Sequence, residues 1–141
     1  LSHGKGDMIR AVAESAGFAM RDVIDVMESL GAQVDDLRVT GQPAGNAIWN
    51  QMKADITRKP ILVPAFGEAE LLGDLCLALV ALGEFPSIGA AAERLVSIKE
   101  EFLPDDSNRA LYDELFSIYR ASYTSLLPVF GRLAALQAPS P

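Results

Sequence analysis

Apolar residues fall at Ile9, Val12, Ala16, Ala19, Val23, Val26 and Leu30, and this three-or-four spacing predicts a long amphipathic helix from Met8 to Leu30. Asp7 is placed to accept the free amide hydrogens of its first turn, and Gly31 to take the left-handed conformation that ends many helices. The β-prone run Leu37-Arg38-Val39-Thr40 closes in Gly41-Gln42-Pro43-Ala44-Gly45, which reads as a strand followed by a tight loop. Asn46 is a favourable N-cap for a helix with Ile48, Trp49, Met52 and Ile56 on its apolar face, stopped by Lys59-Pro60. Ile61-Leu62-Val63 is a second strand. From Glu68 to Leu82 the residues Leu71, Leu72, Leu75, Cys76, Leu79, Val80 and Leu82 cover most sides, predicting a helix buried on more than one face and ended by Gly83.

Strands and helices that alternate at these lengths predict an α/β fold with parallel strand pairing, since each crossover helix covers a sheet face. After Pro86, Ser87 caps a short Ala-rich helix, Ile98 to Phe102 reads as a connector or short strand, and Asp105-Asp106-Ser107 announces another helix. Leu111, Leu115, Tyr119, Tyr123 and Leu126 keep helical spacing, and Pro128 is expected to kink or restart that helix. Residues 137 to 141 read as a flexible tail. No internal repeat is visible.

The chain has 141 residues, 50% of them hydrophobic and 22% charged, which is enough for one modest core. No apolar run is long enough to span a membrane, and no secretory signal is readable at the first residues, so a soluble protein is expected. The lone Cys76 has no partner for an internal disulfide, which fits a cytoplasmic setting. A formal charge of -7 with scattered Lys and Arg argues against nucleic acid as a partner.

Three stretches, in order, resemble the C-terminal lobe of the FGGY carbohydrate kinases. Arg10-Ala11-Val12-Ala13-Glu14-Ser15-Ala16-Gly17-Phe18-Ala19-Met20-Arg21-Asp22-Val23 is similar to the family's long helix. Val39 to Asp55, with Gly41-Gln42-Pro43-Ala44, Trp49 and Ala54-Asp55, is similar to its strand, Gly-Gly-x-Ala loop and helix. Glu68-Ala69-Glu70-Leu71-Leu72-Gly73-Asp74 is similar to the Glu-x-x-x-x-Gly segment that begins the next helix. Together they cover roughly residues 8 to 85, and Tyr112-Asp113 to Tyr119-Arg120 extends the similarity. The wording is nearest the branch that includes xylulose kinases.

The resemblance implies a partial actin-like ATPase (ribonuclease H-like) domain, with short parallel strands and several long helices. Residues 1 to 141 would be a C-terminal, incomplete segment of the nucleotide-binding domain. The parent would transfer a phosphoryl group from ATP, with Mg²⁺, to a sugar or polyol hydroxyl. Gly41, Gln42, Ala44 and Asn46 are the expected nucleotide contacts. The family's catalytic Asp and sugar-binding residues would lie upstream of Met8, so no catalytic residue and no metal ligand is expected in this chain, and the fragment alone should be inactive. Residue chemistry agrees at the loop: a helix N-terminus with free amides follows a small-residue turn, which suits phosphate oxygens. The sequence departs from the family pattern at Gln42, where a second Gly is usual, and at Pro43, which lacks an amide donor. An alternative class therefore stays open, a non-catalytic α/β interaction module or degenerate remnant. A truncated sheet edge and an apolar helix face also predict a homo-oligomer.

Other residues read more simply. His3 is a solvated terminal side chain, Cys76 a small buried hydrophobe, and Trp49, Tyr112, Tyr119 and Tyr123 are packing residues. Asp35-Asp36, Glu100-Glu101 and Asp105-Asp106 are solvated charges and caps. Asp55 is structural, while Glu68 is placed on the nucleotide side at its helix start.

Overall fold

The computed structural model describes residues 3–137. Helix α1 (Lys5–Ser29) begins one turn earlier than its apolar spacing indicates. Gly4 is the N-cap, and Asp7 sits inside the first turn, where its carboxylate accepts from the Gly4 amide at 2.8 Å. Gly31 takes φ +90° just past the helix end.

Chain order continues with β1 (Leu37–Arg38), a 3-10 turn (Gln42–Gly45), α2 (Ala47–Thr57), β2 (Ile61–Pro64), α3 (Ala69–Ala81), α4 (Ile88–Leu95), β3 (Ile98–Phe102), a second 3-10 turn (Asp106–Asn108) and α5 (Arg109–Gln137). The three strands lie in the order β1-β2-β3. β1 runs parallel to β2, with Leu37 opposite Ile61, while β3 runs antiparallel to β2, with Ile61 opposite Phe102. The sheet is thus mixed where parallel pairing alone was expected, because α3 and α4 return the chain beside β2 in the reverse direction. The exposed Lys99, Glu100 and Glu101 of β3 put charge on an edge strand, a common guard against further pairing.

The core forms where α1, α2 and α5 meet. Phe18, Ile56, Tyr112 and Phe116 are buried together, with Met52, Leu115 and Tyr119 packed against them. The Phe18 ring lies 6.3 Å from Tyr112 edge-on and 5.5 Å from Tyr119, spacings at which aromatic pairs attract. Gly17 permits the α1–α2 approach: a Cβ built there would lie 2.7 Å from Ile56 Cδ1.

Two helices bury faces other than those predicted. In α1 the interior residues are Gly17, Phe18, Arg21 and Ile24, whereas Ile9, Val12, Val23, Val26 and Leu30 are exposed. At 3.6 residues per turn these two sets lie on nearly opposite sides of the helix. Arg21 is tolerated inside because its Nη2 donates to Asp113 Oδ1 at 2.9 Å and its guanidinium lies 4.4 Å from the Phe116 ring centre. Arg58 pairs with the same Asp113 carboxylate. In α3 only Cys76 is buried, and Leu71, Leu75 and Leu77 are exposed, so the described residues cover one side of a helix that is apolar on several.

Helix ends match the local signals more closely. The Ser87 hydroxyl accepts from the Ala90 amide, and Gly83 has φ +79°. α2 stops at Arg58, one residue before Lys59-Pro60, with Arg58 in the left-handed region at φ 59°. Helix α5 runs unbroken through Pro128, so of the kink or restart expected there no restart occurs. That part of α5 is exposed, so water can satisfy the carbonyl that Pro128 leaves without an intrahelical donor. Gln137, assigned to the flexible tail from sequence, is the last helical residue, and residues 138–141 lie outside the described residues.

Candidate functional site

The Gly41–Asn46 segment carries the chain from β1 into α2. Gly41 has φ 75° and ψ -173°, a conformation costly for any residue with a Cβ. Its amide donates to the Gly67 carbonyl at 3.0 Å, tying the turn to the loop after β2 and bringing Glu68, the exposed N-cap residue of α3, into the same neighbourhood. Gln42, Pro43, Ala44 and Gly45 then make one 3-10 turn, closed by Ala44 N donating to Gly41 O at 3.1 Å and Asn46 N to Pro43 O at 3.2 Å. Pro43 stands in the first part of that turn. A helix opening leaves its first amides without internal partners, so proline removes little there.

Gly41, Gln42 and Asn46 are exposed, whereas Ala44 is buried. Ala44 serves the site from within, since its carbonyl accepts from Asn50 Nδ2 at 2.7 Å. The Asn46 side-chain oxygen accepts from Trp49 N at 3.0 Å, capping α2 as predicted. Asn46 Nδ2 points no bond at the described protein and is available to a ligand.

Beyond Asn46 a groove of about 780 Å³ opens between α1 and α2, walled by Ile9, Val12, Ala16, Ile48, Trp49 and Met52. That size falls within the usual range for small-molecule clefts, and a mostly apolar wall with a few polar groups is their common chemistry. The Trp49 indole N–H donates to the Ala13 carbonyl at 3.1 Å, which fixes one wall to the other. A second, smaller apolar cavity of about 310 Å³ lies on the sheet side, bounded by Thr40, Phe66, Leu72, Cys76, Ile88 and Val96.

Sequence reasoning passed over the polar side of α2. Asn50, Lys53 and Thr57 are buried, at three-then-four spacing that would have marked an interior stripe had polar residues been counted. Lys53 Nζ lies 4.1 Å from the Trp49 ring centre and donates to Asn50 Oδ1 at 3.3 Å. Burial lowers the Lys53 pKa, because an ammonium loses hydration there. Asp55, read as structural, accepts from Gln51 Nε2 at 2.8 Å, Asp105 N at 2.9 Å and Asn108 Nδ2 at 2.9 Å. Among the described residues no group of three or more His, Cys, Asp or Glu side chains is arranged to hold a metal ion, and no helix is long and apolar enough to cross a membrane.

Several known proteins share this architecture. A xylulose kinase of Staphylococcus epidermidis is 31% identical over 121 residues, covering 86% of this chain and 24% of that protein. An autoinducer-2 kinase of Yersinia pestis is 30% identical over 124 residues, covering 87% of this chain and 23% of that protein. The chain therefore spans about a quarter of the length of these relatives. A ligand-bound xylulose kinase structure from Lactobacillus acidophilus superposes with a TM-score of 0.84 at 23% identity, over 93% of this chain and 26% of that one. A Plasmodium falciparum glycerol kinase structure with ADP gives 0.69 at 23% identity, over 84% of this chain and 24% of that one. The fold is accordingly that of the actin-like sugar kinases, represented here by a helix-rich piece with a small mixed sheet. Residues 1–82 match the family description "FGGY family of carbohydrate kinases, C-terminal domain", and with the α1, turn and α3 features in the expected order, the chain belongs to the FGGY carbohydrate kinase family.

Proposed function

We propose that this chain is an incomplete C-terminal segment of the nucleotide-binding lobe of an ATP-dependent sugar kinase, a cytoplasmic enzyme that phosphorylates a sugar or polyol hydroxyl. The observation that carries the reading is the Gly41 turn: a glycine at φ 75° opens a turn that exposes Gly41 and Gln42 and ends on exposed Asn46, which lines the α1–α2 groove. Free amides of a turn and helix start favour anions, and a carboxamide beside an apolar wall suits a heteroaromatic base. ATP held there would supply the transferable phosphoryl group. Gly41 leaves space for it, Gln42 and Asn46 offer polar contacts, and buried Ala44 keeps the turn in shape. Mg²⁺ would reach the site with the nucleotide, without direct ligands from this segment. Phosphoryl transfer also requires a group that orients the acceptor hydroxyl, and that group is assigned to the rest of the parent enzyme, so this segment alone is inactive.

A relative of the same family acts on xylulose by name, which supports a ketose-like substrate for the parent. Titration of the chain with MgADP, followed through its single tryptophan, Trp49, should give a saturable emission change. Gly41→Val, which places a β-branched residue at positive φ, should weaken that binding at least about tenfold. Equal affinity in the variant would remove the turn from the nucleotide site.

Self-association belongs to the same reading. Exposed Leu71 and Leu75, four residues apart on α3, leave an apolar face of that helix uncovered, and uncovered apolar faces mark sites of association. Light scattering behind size-exclusion chromatography should register a mass that rises with concentration; a monomer at every concentration would contradict it.

A further inference from the structure

Asn50 and Lys53 make a buried polar pair whose chemistry points at the turn. Asn50 is fully buried and Lys53 is 6% exposed, and among the described residues no carboxylate pairs with Lys53. Burying an amide and an uncompensated ammonium costs desolvation that leucine and methionine of similar shape would avoid. In return the pair supplies direction. A carboxamide has an acceptor end and a donor end, and without a directing partner it can rotate to present either. The Lys53 ammonium, itself held over the Trp49 ring, has only donors, so it fixes the Asn50 oxygen toward itself. The Asn50 NH₂ is then turned to the Ala44 carbonyl, where it makes a 2.7 Å bond. Ala44 lies inside the 3-10 turn, so this bond ties the turn to the rigid interior of α2.

We propose that Lys53, acting through Asn50, is a positioning residue for the Gly41–Asn46 turn and for the nucleotide held there, the latter resting on the nucleotide reading of the turn. Neither side chain touches the ligand. Their effect is to keep the Gln42 and Asn46 contacts at fixed separation, which a loose turn would spread over several geometries.

Lys53→Met keeps most of the aliphatic stem and removes the ammonium. Asn50→Asp still accepts from Lys53 but cannot donate to the Ala44 carbonyl, and its retained volume guards against simple loss of folding. Site-resolved amide hydrogen exchange on the whole chain should speed up about tenfold at Ala44 and Asn46 in both variants, the effect of losing one hydrogen bond, while Phe18 and Phe116 keep wild-type rates. Wild-type exchange at the turn, or equal acceleration of turn and core, would overturn the proposal. Calorimetric titration with MgADP separates its two halves. Binding weakened about tenfold in both variants supports the whole, and unchanged binding with a loosened turn overturns the link to nucleotide. If wild-type chain binds no MgADP while the variants loosen the turn selectively, the nucleotide reading falls and the positioning of the turn by Lys53 stands.

Discussion

Gly17→Val is expected to lower the melting temperature of this chain by roughly 10 °C, corresponding to about 3 kcal/mol lost at the α1–α2 crossing. Any Cβ at position 17 meets Ile56 Cδ1 at 2.7 Å and Ile56 Cβ and Cγ2 at 3.3 Å. Ile56 is fully buried, so it cannot swing into solvent, and its own neighbours in the Phe18 cluster oppose a rotamer change. Two competing effects set the size. A glycine in mid-helix gives up about 1 kcal/mol relative to alanine, so Gly17→Ala recovers part of its steric cost through propensity. Valine gains less propensity and adds two methyl groups at the closest point, so sterics win. Differential scanning calorimetry should rank wild type, Gly17→Ala and Gly17→Val in falling order of stability. Adding Ile56→Val to Gly17→Ala should return part of the loss. An additive double mutant would place the strain elsewhere.

Asp55→Ala should cost about 3 kcal/mol in urea unfolding, a large share of the stability of a domain this size. Its carboxylate receives three donors from three places: Gln51 on its own helix, the Asp105 amide and the Asn108 side chain. The last two belong to the link between β3 and α5, so one side chain anchors the start of α5 to α2. Removing it leaves donors unsatisfied in a part-buried site, and such groups cost more than the bonds they formed were worth. Asp55→Asn should fall between wild type and alanine, because one amide oxygen can serve one or two donors while its NH₂ opposes the third. A loss under about 1 kcal/mol for Asp55→Ala would mean that water substitutes for the carboxylate.

Most local signals in the sequence match the structure where the interactions that make them are themselves local, Asp7 excepted, since Gly4 takes the N-cap of α1. Asn46 caps α2 through a bond to a residue three positions on, Ser87 caps α4 in the same way, and Gly31, Gly41 and Gly83 occupy positive φ within their own turns. The family assignment rests on the order of such segments and survives for the same reason. Ala44 shows the limit at the candidate site. Its membership in the turn was legible, but its burial and its bond to Asn50 depend on how the turn folds back over α2.

The sequence by itself determined the helices up to Leu95, the first two strands and their turns, and which family the chain resembles, but left Ile98–Phe102 open between connector and strand. The tertiary structure alone decided which faces those helices bury. Hydropathy spacing pointed α1 inward through Ile9, Val12, Val23 and Val26; the packed face instead holds Gly17, Phe18, Arg21 and Ile24. Gly17 wins because a helix approaches most closely where a side chain is missing, and a hydrophobic count gives glycine no weight. Arg21 enters the interior because Asp113, ninety-two positions away, meets its charge. Lys53 enters because Asn50 and the Trp49 ring receive it. Arg21 becomes an interior residue only because its partner arrives from elsewhere in the chain, and although Lys53 finds its partners within its own helix, the cover that buries all of them is a property of the fold.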